Sequence, residues 1–202
     1  MGLKGYKLNA VKTRSSRIKK ITSELGDRSI VLIGLMGCGK SSIGRRLATH
    51  LKLPFVDADS EIEEAAGKSI AEIFEEDGEK VFRDGERRVI ARLLDNSTQV
   101  LATGGGAFMN ADIRENIDSK GISIWLRADL DLLMERVGRR SHRPLLQTEN
   151  PRAVMQSLID ERYPVYAQAD IIVDSQRVAH DVIVRDVAKK LADYLTTTLN
   201  QH

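Results

Sequence analysis

The chain has 202 residues, 42% hydrophobic and 30% charged, with a formal net charge of +2 and one cysteine. That length favours one domain, or one domain with a small mobile subdomain, and a lone Cys38 excludes an internal disulfide and fits a reducing cytoplasm. The charge balance carries no whole-chain signal for nucleic acid. His50, His142, His180 and His202 lack metal-ligand spacing, and no apolar stretch has the length of a membrane span.

Residues 1–28 stand apart. They carry Lys4, Lys7, Lys12, Arg14, Arg17, Lys19, Lys20 and Arg28, with no acid before Glu24 and no apolar core that would make a secretory signal. The composition resembles an organelle transit peptide, though short for a plastid one. A partly helical basic extension ahead of a domain over residues 29–202 is the favoured reading. A nucleic-acid role would rest on residues 4–28 alone and is not adopted.

The first strand expected is "SIVLIG", residues 29–34, an apolar run of the kind buried on both faces of a sheet. It leads into Gly34-Leu35-Met36-Gly37-Cys38-Gly39-Lys40-Ser41, which fits G-x-x-x-x-G-K-[ST] at every fixed position. The glycines let successive N–H groups point at one centre, and the helix expected from Lys40 to Leu51 adds the positive end of its dipole. Such a loop binds the phosphates of ATP or GTP. Lys40 is expected to reach the β- and γ-phosphates, and the Ser41 hydroxyl to bind Mg²⁺. For Cys38 the bland reading is a tolerated small side chain. The sharper one is a thiol activated by the helix terminus and Lys40, open to alkylation and protected by ATP.

A second strand, "PFVDA", ends with Asp57, and Asp59 follows two residues later. At a strand end that spacing sends both side chains to one face, beside the phosphate loop in a parallel sheet. The alternative is an acid-rich helix start before "EIEEAAG". A helix is expected over about 79–94, with Arg83 in "VFRDGE". The third strand, "TQVLATG", runs into Gly104, Gly105 and Gly106, where a ligand can approach the backbone. After the strand "ISIWLR" and a helix over 129–138 comes "RVGRRSHRPLLQ", with Arg136, Arg139, Arg140 and Arg143. It reads as a basic lid over about 136–150, or else as a solvated charged loop. A helix over 151–163 carries Arg162, and the strand "DIIVD" and a helix over 178–199 complete the chain.

Strands alternating with helices imply an α/β fold with a mostly parallel sheet. A GTPase would need an N-K-x-D, which is missing, and Asp118-Ser119-Lys120-Gly121 precedes a strand instead of following one. A motor or DNA-dependent ATPase would end a central strand in an acid, whereas this one ends in threonine and glycines. A nucleotide kinase and a small-metabolite kinase remain.

Together "GLMGCGKSSIGRRLA", "FVDADSEIE", "GKSIAEIFEEDGEKVFRDGE", "LATGGGAF", "RPLL" and "ERYPVY", in this order and spacing over residues 29 to about 177, strongly resemble the shikimate kinase family. The resemblance implies a three-layer phosphate-loop kinase fold with a five-stranded parallel sheet in order 2-3-1-4-5. The implied reaction is ATP plus shikimate giving ADP and 3-phosphoshikimate, a step of chorismate and aromatic amino acid biosynthesis, in a monomer without nucleic-acid or membrane partners.

By this resemblance Gly37, Cys38, Gly39, Lys40, Ser41 and Ser42 hold the ATP phosphates, and Asp57 binds Mg²⁺ through water. Asp59 grips the acceptor hydroxyls, while Arg83 and Arg162 bind the acceptor carboxylate beside Gly104, Gly105 and Gly106. Arg143 reaches the transferring phosphate, Arg136 covers the adenine, and the loop from Asp174 to Arg177 closes the other side. Lys40, Asp59 and Arg143 form the catalytic set. "PVY" stands where the family more often has "PLY", and the fit loosens after Arg177. A gluconate kinase of the same fold is the alternative enzyme. A nucleotide-binding regulator without an acceptor site is the non-enzyme alternative.

Overall fold

The computed structural model describes residues 18–138 and 149–199. Five strands form one parallel sheet: β1 Ser29–Ile33, β2 Phe55–Asp57, β3 Val100–Ala102, β4 Gly121–Arg127 and β5 Ile171–Asp174. Their order is β2-β3-β1-β4-β5, the order the resemblance implies. The central strand β1 pairs with β3 and β4 and is buried at every residue, as its unbroken apolar run requires. The strand order reverses at β1, with β3 on one side and β4 on the other, which opens a crevice at the carboxyl ends of the strands, where ligands bind in open α/β sheets.

Nine helices connect the strands among the described residues. They are α1 (18–25), α2 Lys40–Leu51, α3 Ala58–Ala66, α4 Ile70–Glu76, α5 Gly78–Leu94, α6 Ala111–Lys120, α7 Leu130–Gly138, α8 Pro151–Tyr166 and α9 His180–Leu199. A 3₁₀ turn, Ala107–Met109, follows the glycine run. Helices α2 and α9 pack together, as do α5 and α6, and they flank the sheet. No described helix is long and apolar enough to cross a membrane.

Helices α4 and α6 were not expected as separate elements, and α3 only as the alternative helix start before "EIEEAAG". They are short and rich in charge, and local capping starts them where periodicity is weak. Asp57 caps α3, Ser69 and Glu72 form a capping box on α4, and Asn110 accepts from the backbone of Asp112 and Ile113 at the start of α6. Helix α1 is a second addition. Ile21 and Leu25 are buried in the core, and the Thr98 hydroxyl donates to the carbonyl of Gly26 at 3.0 Å. The described end of the basic N-terminal segment is therefore packed against the domain.

Beneath the crevice lies an aromatic cluster. Trp125 meets Tyr163 edge-on with ring centroids 4.8 Å apart and Tyr166 at 5.8 Å. The rings bring α8 against β4 and give the loop after β1 a firm base. Burial pushes the Tyr163 hydroxyl up to about 12 and raises that of Tyr166 as well, so both are neutral hydrogen-bond donors at physiological pH. Tyr163 donates to the carbonyl of Ala128 and Tyr166 to that of Gly105.

Candidate active site

The loop between β1 and α2 is shaped by its glycines. Gly37 has φ 84°, and a Cβ there would lie 2.9 Å from Val137 Cγ2 and 3.2 Å from the carbonyl oxygen of Leu133. Only glycine meets both demands, the left-handed backbone and the close approach of α7. Lys40 Nζ donates to the carbonyls of Gly34 at 2.6 Å and Leu35 at 3.2 Å, which keeps the ammonium over the loop. The motif residues Gly37, Gly39, Lys40, Ser41 and Ser42 line a cavity of about 330 Å³ with Met36, Asp57, Asp59, Thr103, Gly105, Arg136, Val137 and His180. A larger groove of about 460 Å³ lies between α3, α4 and α5, lined by Ile62, Ile73, Phe82 and Val89 and by none of the motif residues. Only the smaller cavity joins phosphate-binding backbone to carboxylates, so it is the candidate site.

Cys38 is inside the loop but buried, at 1% exposure. Its Sγ faces inward, 3.0 Å from where a Cβ on Gly34 would stand and 3.9 Å from Lys40 Nζ. The expected reactive thiol is corrected here, because a buried sulfur is shielded from alkylating reagents whatever its charge. The carbonyl of Cys38 is engaged too, accepting from Ser175 Oγ at 3.0 Å and Arg136 Nη1 at 3.1 Å.

Asp57 and Asp59 both reach the cavity, by a different route from the one expected. The strand ends at Asp57 and the chain turns into α3, so Asp59 stands on a helix and the alternation of a strand does not apply. Asp57 Oδ1 accepts from the Asp59 N–H at 3.3 Å, while Oδ2 accepts from Ser41 Oγ at 2.7 Å. One carboxylate thus caps α3 and meets the hydroxyl of the phosphate loop. The helix start expected as the alternative reading of "DADSE" is present, and both acids line the cavity.

The triple glycine is packed by charged groups. A Cβ on Gly104 would lie 2.8 Å from Glu86 Oε1 and 2.9 Å from Asp59 Oδ1, and one on Gly106 would lie 2.8 Å from both terminal nitrogens of Arg83. Arg162 Nη1 donates to the carbonyl of Gly105 at 3.2 Å. Arg83 and Arg162, 79 residues apart in sequence by subtraction of their numbers, therefore meet the same three-residue turn.

Glu86 was missed by the sequence reading. Its side chain is 1% exposed; Oε2 accepts from Arg83 Nη1 at 2.7 Å and Oε1 has no hydrogen-bond partner among the described residues. Burial pushes its carboxyl above the ordinary range, against the pull of Arg83 and Arg162 and with a push from Asp59. Its signal lay in the spacing Phe82, Glu86, Val89, Ile90, Leu93, which sets an acid on the buried face of α5.

At the other end, Arg136 sits in the last turn of α7, so residues 136–138 of the expected lid are helical. Its guanidinium donates to the carbonyls of Gly37 at 3.4 Å and Gln176 at 3.0 Å, and to Ser175 Oγ at 2.8 Å. The phosphate loop, α7 and the segment after β5 are tied together by this one side chain. Arg177 pairs with Glu135 at 2.8 Å on the surface and is not among the cavity residues. Arg139, Arg140 and Arg143 lie outside the described residues.

Comparison with known proteins places the whole chain. Residues 36–193 match the family model of shikimate kinase. The chain is 56% identical over 182 residues to a shikimate kinase of Rhodopseudomonas palustris, covering 90% of each. A shikimate kinase from Acinetobacter baumannii, solved in complex with shikimate, superposes with TM-score 0.78 and 36% identity over 88% of this chain and 98% of that one. A gluconokinase from Sinorhizobium meliloti, 20% identical with TM-score 0.61 over 87% of this chain and 97% of the other, shares the fold alone. A phosphate loop facing two aspartates and an arginine-flanked glycine turn, with similarity across most of the chain, leads to one conclusion: the chain belongs to the shikimate kinase family.

Proposed function

We propose that this cavity transfers the γ-phosphoryl group of ATP to the 3-hydroxyl of shikimate, giving 3-phosphoshikimate and ADP for aromatic amino acid biosynthesis. The observation that carries the reading is the convergence, in one crevice, of Lys40 and Ser41, the Asp57–Asp59 pair, and the turn flanked by Arg83 and Arg162. A carboxylate-bearing triol needs cations at one end and hydrogen-bond acceptors at the other. Arg83 and Arg162 supply the first, as planar guanidinium groups suited to a carboxylate, and Asp59 the second.

Phosphoryl transfer asks for positioning and charge stabilisation more than covalent help. The backbone from Gly37 to Ser42, with the start of α2, receives the phosphates, and Lys40 spreads charge from the γ-phosphoryl oxygens. Asp59 orients the attacking hydroxyl and accepts its proton. Arg143 adds a cation over the transferring group, and Arg136 covers the adenine. Ser41 and Asp57 offer hard oxygen donors 2.7 Å apart, a set that suits Mg²⁺ and would hold it, Asp57 through water. The ion would neutralise charge on the β- and γ-phosphates.

The reading carries with it a monomer, as the family resemblance implies, and a reducing cytoplasm, which suits a chain with a single cysteine. The test is ADP release with Mg·ATP and shikimate, gluconate, AMP or no acceptor. Turnover with shikimate alone is expected; equal or better turnover with gluconate or AMP overturns the reading.

A further inference from the structure

The glycine turn that faces the acceptor is itself held from below. The carbonyl of Gly105 accepts from two side chains of α8: Arg162 Nη1 reaches it at 3.2 Å, and the hydroxyl of Tyr166, the last residue of the helix, donates to it as well. The two donors stand one turn apart on the same helix face. They differ in freedom. Tyr166 is fully buried, packed against the rings of Phe108, Trp125 and Tyr163, whereas Arg162 is half-buried. Arg162 Nε has no hydrogen-bond partner among the described residues, so its guanidinium is not fully committed in this arrangement. A peptide carbonyl has two lone pairs, and here each meets a donor. Gly105 also adjoins the phosphate loop, since a Cβ on it would lie 3.6 Å from the Met36 nitrogen and 3.7 Å from the Gly34 carbonyl oxygen.

We propose that Tyr166 is a positioning residue of the acceptor subsite: its hydroxyl holds the Gly105 carbonyl, which leaves Arg162 free to exchange that oxygen for the carboxylate of shikimate. This rests on the shikimate reading above and adds a buried residue to it. Without the hydroxyl, Arg162 is the one remaining donor to this carbonyl among the described residues. Turning the guanidinium to the substrate would then strand an inward-facing carbonyl, and binding would carry a cost that the wild type avoids. Burial keeps the phenol protonated, so it remains a donor across the working pH range. The rings around it fix its place, and the turn keeps its shape while the arginine moves.

The experiment compares wild type, Tyr166→Phe, Arg162→Ala and the double variant by steady-state kinetics with shikimate and by thermal unfolding. Tyr166→Phe keeps the ring and should raise the shikimate KM about tenfold, the scale of one buried hydrogen bond left unmade. Its ATP KM, kcat and Tm should change little, because Arg162 still satisfies the carbonyl in the free enzyme. In the Arg162→Ala background the same change should leave the shikimate KM where it was, since no guanidinium remains to be released. The double variant strands the carbonyl and should lower Tm by more than the two single changes together. A hydroxyl that merely supports the core would instead lower Tm in Tyr166→Phe and weaken shikimate equally in both backgrounds, and either result overturns the proposal. A wild type that turns over shikimate with no Tyr166→Phe penalty overturns the proposal alone. A wild type that turns over gluconate or AMP in its place overturns the reading beneath it, and the proposal with it.

Discussion

Arg83 donates to the buried carboxylate of Glu86 at 2.7 Å, one helical turn along α5, and its guanidinium fills the space that the missing side chain of Gly106 leaves. Arg83 is thus held from one side by an acid and from the other by bare backbone. Glu79, itself exposed, adds a longer contact at 3.3 Å. Arg83→Ala removes the cation and should weaken shikimate by about 2–4 kcal/mol, the cost of breaking a desolvated charge pair. Kinetics should report this as a raised acceptor KM with ATP KM unchanged; an unchanged acceptor KM would contradict the carboxylate assignment.

Gly106→Ala tests the same geometry without touching a charge. The added Cβ would stand 2.8 Å from both terminal guanidinium nitrogens, and the flexible end of Arg83 is what must give way. The fold should survive, with Tm little changed, while shikimate KM rises about tenfold or more because the cation is displaced. Gly37→Ala should behave differently. There the backbone is left-handed and the neighbours are Val137 and a main-chain carbonyl, so the phosphate loop itself distorts and ATP binding fails. Equal effects of the two substitutions on ATP affinity would refute the distinction.

Glu86 makes stability depend on pH in a defined direction. Its folded pKa lies above its ordinary value of 4.5, chiefly through burial, so the folded state holds the proton more tightly than the unfolded chain. The cost of the buried charge is fully present above the folded pKa and is relieved as pH falls toward the unfolded value. Unfolding in urea should therefore show the stability of wild type relative to Glu86→Gln growing as the pH is lowered from neutrality toward the ordinary value of 4.5. A difference that shrinks over that interval would reverse the assignment. Glu86→Gln should also raise the shikimate KM, since Arg83 loses its anionic partner.

Much of this arrangement was legible in the chain, for identifiable reasons. The strand at Ser29–Ile33 is a continuous apolar run, and the phosphate loop has fixed residues at fixed spacing, so both could be read locally. The strand order came from the family resemblance and not from periodicity. Helix α4 was hidden by its charge, because "IAEIFEE" looks like solvated surface until the cap at Ser69 is recognised, whereas "EIEEAAG" offered α3 as an alternative helix start. Glu86 was obscured by "RDGERR", where an acid among arginines suggests a solvent face. The link from Ser175 to the Cys38 carbonyl spans 137 residues, and only the tertiary fold brings such partners together.

Lys40→Ala separates the phosphate loop from the fold around it. The Lys40 side chain contacts two loop carbonyls and Cys38 Sγ, so its removal leaves the core intact. Turnover should fall about a hundredfold or more, with native circular dichroism, because a cation over developing phosphoryl charge acts chiefly in the transition state. Chelation by EDTA should abolish turnover as well, with recovery on adding Mg²⁺. Near-normal kcat in Lys40→Ala would defeat the phosphate-transfer role.

Cys38 supplies a probe of loop closure that needs no substitution. At 1% exposure the thiol is covered by its own loop, and nothing in the phosphoryl transfer uses sulfur. Iodoacetamide should therefore label native protein slowly and denatured protein fast, as expected when burial controls access. Labelling in the native state requires the loop to lift from Gly34 and Lys40, and ATP should slow it only as far as ATP suppresses that opening. The rate should thus fall with ATP in proportion to global stabilisation read by Tm. A fast native rate, matching that of free thiol, would show a loop that stands open, and the phosphate site would then have to be assembled by the nucleotide instead of awaiting it.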